Sequence, residues 1–355
     1  TLPGDARALF GWILTERLAR DPGFRDHEGR ACGAALVEKF AACLGVSCLG
    51  VSRHGLSPTE LTALLSDGGA LAPASAASTD PLGNVAALLR LLRPYLMRRG
   101  ELLDFYHGQF REAAEAKYLD TPEKQRAAHQ SVANCLQVFA DPHRDGQYRD
   151  ATLHALSELP HHQTRAGAWP DLIATLENIF FLEAKVIHDM AFDLVVDFTT
   201  AVNALPIEHV ERKRLWVLKE ALRRDIHFIA RHSRDYPQAL FQCLWNSAWW
   251  YDCPEARTHY LGLLKTSWLK DAVEEPDVKL CHLLEGWRTE RQTYRTNQNW
   301  VRSLRPPLVP IGNQCNLVLS GHQGGVVGVD YSVNGLLIAS CCGFGTTLLS
   351  DSDWT

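Results

Sequence analysis

The sequence predicts a mainly α-helical protein that changes to β-strands only near its C-terminal end. Apolar residues recur at helical spacing through most of residues 5–66 and 120–300. After a Pro-rich stretch at residues 303–312, short apolar runs alternate with Gly and Asn turns, a pattern typical of strands. We therefore expect four regions: a helical region with a hairpin (1–119), a helical spacer (120–302), a stiff linker (303–315) and a small β-segment (316–355).

The composition is that of a globular protein that can bury a sizeable core. Of the 355 residues, 46% are hydrophobic and 22% are charged, and 36 basic against 41 acidic residues give a net charge of −5. This balance does not favour nucleic acid or an anionic membrane as a partner. No apolar run approaches the roughly 18 residues of a membrane-spanning helix. We expect a cytoplasmic protein without a membrane partner.

Ten cysteines leave disulfides, zinc binding and free thiols as alternatives. Their spacing contains no C-x-x-C pair and no paired Cys/His ligand set. Several lie on apolar faces, where a free cysteine behaves as a small hydrophobic residue. We therefore predict reduced thiols and no metal site.

Helix start signals and one hairpin signal organise the first region. Asp5 precedes an apolar stripe as an N-cap, and Ser57 with Glu60 three residues later forms a capping-box pattern. "NVAALLRLLRP" predicts a helix that Pro94 ends. "YLMRRGELLDFY" predicts two short strands around Gly100, which can adopt a positive φ. Helices, a hairpin and a further helix are together the outline of a winged-helix domain.

From residue 120 to 300 the pattern is helical without a regular repeat. One predicted helix opens at Trp169-Pro170-Asp171 and runs through "LIATLENIFFLEAKVIH". A second has a continuous apolar stripe: Leu215, Leu218, Leu222, Ile226 and Ile229. Pro237 opens a third, "QALFQCLWNSAWWYD". Because no fixed solenoid period is present, we predict an irregular helical array.

The C-terminal segment carries the most specific motif. Gly321-His322, an apolar strand at 326–331, a turn at 332–335 and "LLIAS" resemble the opening of a WD-repeat propeller blade. The resemblance implies a structural, hydrogen-bonded set to which this chain contributes Gly321, His322, Ser340 and Asp351. Phe344 stands at the position of the turn Asp and Ser350 at that of the Trp, so we expect a partial first blade.

With that anchor, the chain resembles the large STAND-type signalling ATPases, the NACHT/NB-ARC-like proteins that end in WD repeats. The segments that carry the resemblance are "LGVSRHGLSPTELTALLS", "LLRPYLMRRGELLDFYHGQFREAAEAKYL", "LSELPHHQTRAGAWPDLIATLENIFFLEAKV" and "SLRPPLVP" with "GHQGGVVGVDYS". In such proteins a P-loop nucleotide core precedes a winged helix, a helical spacer and a propeller. The resemblance implies that this chain follows that order of parts, with protein partners and possible oligomerisation of the parent protein.

The chain departs from the family plan in one decisive way. It contains neither G-x-x-x-x-G-K-S/T, the loop that cradles phosphates, nor an apolar run ending in Asp-Asp/Glu that would hold Mg²⁺. Phosphoryl transfer needs the loop, its lysine and the metal together. We expect no catalysis and no cofactor in this chain, with ADP or ATP and Mg²⁺ bound only by the parent. "TLPGDARALF" contains neither Met nor a signal-peptide pattern, so we expect a chain cut from a larger protein. Since the P-loop is missing, the resemblance implies a core upstream of Thr1.

His107 is the candidate nucleotide-sensing residue. In the NACHT/NB-ARC relatives, a histidine just after the winged-helix hairpin contacts the diphosphate of bound ADP, and His107 in "FYHGQF" stands at the matching place. A helix N-terminus and an imidazole both suit an anion. The alternative is a histidine that caps its helix or packs within the wing.

Other residue groups fit a functional site less well. His154, His161 and His162 fit a metal site poorly, because the adjacent pair His161 and His162 points about 100° apart on a helix. Trp245 and Trp249, one helical turn apart, fit a core better than a binding patch. The basic run "ERKRLWVLKEALRR" is interleaved with acidic residues and fits a solvated helix face.

Two functions from different classes remain open. The first is the regulatory, protein-interaction part of a STAND-type ATPase, which couples ligand sensing by WD repeats to a nucleotide switch. The second is a stand-alone helical scaffold that binds a protein partner through residues 120–300 without nucleotide. No set of residues supports a third, enzymatic function.

Overall fold

Helices make up most of the chain, so the predicted mainly α class is confirmed. The computed structural model describes residues 4–48, 55–66, 80, 82–256, 279–294, 299–307, 311, 326–331, 337–342 and 347–351. The chain divides into two compact units, Thr1–Ile311 and Gly312–Thr355. In the described part of the chain, no helix combines the length and apolarity needed to span a bilayer.

The first helices begin at the caps that the sequence predicts. α1 (Ala6–Trp12) is capped by Asp5, whose carboxylate accepts a hydrogen bond from the Ala8 amide at 2.9 Å, and it continues as a π-helical segment, Ile13–Leu18. Three helices follow: α2 (Gly33–Ser47), α3 (Pro58–Leu65) and α4 (Asn84–Leu92). Ser57 and Glu60 form the predicted capping box at the start of α3.

The predicted hairpin is present. β1 (Leu96–Arg99) pairs with β2 (Leu102–Phe105) in antiparallel register, and Gly100 takes φ = +63° in the turn. Leu56, just before α3, forms an isolated antiparallel bridge with Leu103 of β2. Gly55 allows this approach, because a Cβ there would lie 1.8 Å from the Leu103 carbonyl oxygen. α5 (Gly108–Tyr118) follows the hairpin and packs on α1 and α2.

A second group of helices forms an irregular array. It comprises α6 (Pro122–Ala140), α7 (Leu153–Ala166), α8 (Trp169–Leu176), α9 (Ile179–Ile187), α10 (Ala191–Ala204), α11 (Val210–Arg231), α12 (Ala239–Ala248) and α13 (Leu280–Tyr294). The predicted apolar stripe of α11 is buried throughout. The prediction of one helix from Trp169 onward is wrong, because Asn178 interrupts it: its side chain accepts hydrogen bonds from the Phe180 and Phe181 amides and so starts α9.

Three ion pairs join helices of this array, and two of them are buried. Lys185 on α9 binds Asp197 on α10, and Arg291 on α13 binds Glu183 on α9. Arg214 on α11 binds Glu177 with Nε and Oε1 2.5 Å apart. The basic run of α11 is therefore not only a solvated face, since one of its arginines fixes α11 to the end of α8.

The C-terminal unit contains a three-stranded antiparallel sheet in the order β3 (Val326–Tyr331), β4 (Leu337–Cys342) and β5 (Thr347–Asp351). The predicted all-β pattern is therefore present over these residues. The register between β3 and β4 shifts between Val326 and Gly328. Among the described residues of this unit, β3 and β5 are the outer strands of the sheet.

Candidate functional site

His107 lies at the junction of β2 and α5, where the sequence places it. Its backbone is extended (φ = −112°, ψ = +130°), and its carbonyl oxygen accepts a hydrogen bond from the Phe110 amide at 3.0 Å, so it is the N-cap residue of α5. The imidazole makes no capping hydrogen bond. It stacks on the ring of Phe10 from α1, with centroids 5.8 Å apart, and meets the edge of Tyr106 at 4.6 Å.

The ring of Phe10, on which the exposed His107 imidazole stacks, is itself packed among other aromatic rings. Phe10 also contacts Tyr95 at 6.1 Å and Phe110 at 5.2 Å between centroids, and Phe105 contacts Phe110 at 5.4 Å. Phe110 and Phe105 are buried, whereas His107 remains exposed at the first turn of an 11-residue helix. The ring is thus held on one side and open on the other, an arrangement that suits contact with an anion.

The residues assigned to the partial blade are only partly described. Gly321 and His322 lie outside the described residues. Ser340 lies on β4, where its Cα pairs with Val329 of β3 and Leu348 of β5, and Asp351 is the last residue of β5. The hydrogen-bonded set that the WD resemblance implies therefore remains a prediction.

The histidines weighed as metal ligands do not form one group. The His154 side chain binds Glu60, with Nδ1 and Oε1 2.8 Å apart. His162 instead meets His129 of α6, Nδ1 to Nδ1, at 3.0 Å, and the His161 ring lies 5.3 Å from that of His162. Among the residues described, no group of three or more His, Cys, Asp or Glu is arranged to hold a metal ion. Sequence reasoning missed His129 because it lies 33 residues before His162.

Histidine protonation follows from these partners. Burial lowers the pKa of His129 to about 4, and the nearby Arg165 guanidinium adds to this effect. Burial also acts to lower the pKa of His154, but its hydrogen bond to Glu60 and the charge of that carboxylate outweigh it, so the pKa of His154 is raised. His129 is therefore neutral near pH 7, whereas His154 and Glu60 form a charge-assisted contact between α7 and α3.

A cavity of about 670 Å³ lies between the ends of α2, α5 and α7 and the start of α6. Its charged and aromatic lining residues are Glu115, Arg126, His129, Arg165 and Trp169. The volume suits a small organic molecule, and two arginines against one glutamate leave the lining with a net positive charge. No sequence motif could have located this cavity, because its lining comes from five separate helices, α2, α5, α6, α7 and α8, and the turns beside them.

The cysteine side chains that the structure describes are free thiols, as the sequence predicts. Burial raises the pKa of Cys43, Cys243 and Cys253 to about 12. A thiol with such a pKa is almost wholly protonated near neutral pH, and the thiolate is the reactive form. These three cysteines therefore pack as small apolar residues rather than act as nucleophiles.

No protein-family model matches the chain, and a search of curated proteins finds no match either.

Proposed function

We propose that this chain is the regulatory, protein-interaction part of a STAND-type signalling ATPase, which acts in the cytoplasm and couples ligand sensing by WD repeats to a nucleotide switch. The observation that carries the proposal is the order of elements around His107. A helix (α2), a strand-like bridge at Leu56, two helices (α3 and α4) and a hairpin precede α5. This order supports a winged-helix domain followed directly by the candidate sensor.

His107 would couple nucleotide to conformation in the parent protein. Its ring is exposed, is held by Phe10 and lies beside the first turn of α5. A diphosphate placed there would meet an imidazole donor and the amide groups of a helix N-terminus. ADP bound by an upstream core would thus stabilise the closed form through His107. The chain itself supplies no P-loop, so ADP or ATP and Mg²⁺ would be bound by the parent's core.

The C-terminal unit would provide the first, partial blade of the sensing propeller. Three antiparallel strands in sequential order support this assignment, because propeller blades are small antiparallel sheets. One blade cannot close a propeller, so further blades would be needed. Ligand capture by the propeller would loosen the closed form, allow ADP to leave past His107 and expose surfaces for oligomerisation.

Exposed apolar side chains on the helical array support a protein-interaction role. They lie on α10, on α11 and in the turn between them: Phe192, Val196, Ile207, Val210 and Phe228. Exposed apolar groups on neighbouring elements can mark a binding surface, and Phe192 lies against α11, with its ring 5.5 Å from that of His227 between centroids. The same observation favours the alternative function, a helical scaffold that binds a protein partner without nucleotide.

Nucleotide retention by the chain extended upstream through a P-loop core tests the proposal. We expect His107→Ala to release ADP at least about tenfold faster than wild type, because a charge-assisted hydrogen bond contributes roughly 1.5–3 kcal/mol. His282→Ala, which removes an exposed histidine from α13, is the matched control and should retain ADP normally. Equal ADP release from wild type and His107→Ala would refute the sensor role. An upstream reading frame without a P-loop would favour the scaffold.

A further inference from the structure

One face of α12 and of the 3-10 turn that follows it (Trp249–Tyr251) holds a segment of the chain's own backbone. We call it the amide–tryptophan face: Phe241, Gln242, Trp245, Asn246 and Trp249. The segment that lies on it is the strap, residues 299–307. The Gln242 Oε1 accepts a hydrogen bond from the Val301 amide at 2.7 Å. The Asn246 side chain donates to the Val301 carbonyl oxygen at 2.8 Å and accepts from the Ser303 amide at 2.8 Å.

These three hydrogen bonds involve only main-chain groups of the strap. The backbone groups of residues 301 and 303 face α12, where they hydrogen-bond to the side-chain amides of Gln242 and Asn246, which lie one helical turn apart. Backbone hydrogen bonds of this kind give affinity for an extended peptide without regard to its sequence. Gln242 is fixed in place, since its Oε1 also accepts a hydrogen bond from the Tyr236 hydroxyl at 2.6 Å.

Side chains of the strap add sequence selectivity. The Trp300 ring lies 5.0 Å from the rings of both Phe241 and Trp245, between centroids. The Arg302 guanidinium lies 4.7 Å from the Trp245 centroid and 4.9 Å from that of Trp249, and those two rings are stacked. Cation–π contacts of this type hold the arginine against the paired indole rings. Val301, between the two anchors, is 70% exposed.

We propose that the amide–tryptophan face is a peptide-binding site, which residues 300–303 occupy in cis and from which a partner protein displaces them. The chemistry of the seated segment defines the partner: an extended stretch with an aromatic residue, any residue and an arginine, in that order. A tethered strap has a high effective concentration, so the partner binds once the strap is loosened or when its own contacts are more extensive. This inference does not depend on the nucleotide switch.

Competition by a short peptide tests the site. The probe is a fluorescently labelled peptide, Asn-Trp-Val-Arg-Ser, identical to residues 299–303, and its binding is followed by fluorescence anisotropy. In the opened variant, Trp300→Ala with Arg302→Ala, the strap loses both side-chain anchors. We expect this variant to bind the peptide at least about tenfold more tightly than wild type, because the competing cis segment is weakened.

The matched control is Val301→Ala with Arg305→Ala, which changes two exposed strap side chains. It should bind the peptide as weakly as wild type does. A peptide with Ala in place of both Trp and Arg should bind none of the proteins. Val301→Pro provides a second opened variant, since it removes the amide that donates to Gln242 and keeps both anchors.

Circular dichroism identifies the opened variants that remain folded. Failure of a folded opened variant to bind the peptide overturns the proposal and leaves the strap a structural element. Equal binding of the Trp–Arg peptide and its Ala version also overturns it, because the aromatic and cationic anchors would then have no role.

Discussion

Leu56 and Leu103 exchange two main-chain hydrogen bonds: the Leu56 amide donates to the Leu103 carbonyl oxygen at 3.2 Å, and the Leu103 amide donates to that of Leu56 at 2.8 Å. The bridge fixes the hairpin to the start of α3, so the hairpin is stabilised by contacts outside its own two strands and turn. A two-stranded hairpin alone is at best marginally stable in water. The bridge therefore contributes to positioning His107, which follows β2.

Substitution of Gly55 should break this bridge. Gly55 has φ = +90°, and a Cβ there would lie 1.8 Å from the Leu103 carbonyl oxygen. We expect Gly55→Ala to lower the free energy of unfolding by at least about 2 kcal/mol, since the positive φ alone costs roughly 1–2 kcal/mol for a residue with a Cβ. Urea-induced unfolding followed by circular dichroism measures the change.

Two other glycines separate the causes of that loss. Gly100 has φ = +63° but open space around its Cα, so Gly100→Ala should lose only the conformational part, about 1 kcal/mol. Gly11 lies in α1 with no positive φ and no close neighbour, so Gly11→Ala should be neutral or stabilising. If Gly55→Ala is no more destabilising than Gly100→Ala, the close approach of Leu103 is not a constraint.

The buried pair of Lys185 and Asp197 gives a second prediction. Lys185 is fully buried and Asp197 is nearly so. Lys185→Met should destabilise the protein by about 3–5 kcal/mol, because it leaves a buried carboxylate without its main partner. The double variant Lys185→Met, Asp197→Leu should recover most of that loss, since neither charge is then buried. Urea unfolding of Lys185→Met, Asp197→Leu and the double variant gives the coupling free energy between the two residues. Strictly additive losses of unfolding free energy would contradict this prediction.

Features that depend on residues close together in the sequence could be predicted, whereas features that depend on residues far apart in the sequence could not. Asp5, Ser57 and Gly100 were predictable because caps and tight turns depend on residues three or four positions apart. The break at Asn178 was missed, because an apolar pattern through residues 172–188 hides a cap that uses the side chain of one residue. His129 and the amide–tryptophan face were not predictable, since each depends on residues 33 or more positions apart.

Self-association through the C-terminal sheet is a third prediction. β3 and β5 are the outer strands of the described sheet, and Val327 and Val329 on β3 are 74% and 60% exposed. Exposed apolar edge strands pair readily with other copies. We expect the chain to elute in size-exclusion chromatography as concentration-dependent oligomers. Val327→Lys with Val329→Lys should shift it toward monomer, and a monomeric wild type at all concentrations would contradict this expectation.

Acid sensitivity is the fourth prediction, and it depends on His129. Burial, with Arg165 nearby, lowers the pKa of His129 from 6.5 to about 4. Below pH 6.5 the unfolded chain therefore binds a proton that the folded chain does not, so stability falls as the pH drops from 6.5 toward 4. The integrated loss is roughly 3 kcal/mol. His129→Gln should show a flatter decline over this range, measured as the urea unfolding free energy at stepped pH.

His154→Gln is the informative counterpart, because its sign is opposite. The pKa of His154 is raised by Glu60, so its contribution to stability is fully present below pH 6.5 and is lost as the pH rises through the folded-state pKa. Its removal should therefore destabilise the protein more at pH 5.5 than at pH 8, whereas His129→Gln should gain relative stability at the lower pH. Parallel pH profiles for wild type and both variants would mean that neither imidazole controls acid unfolding, and that the carboxylates do so instead.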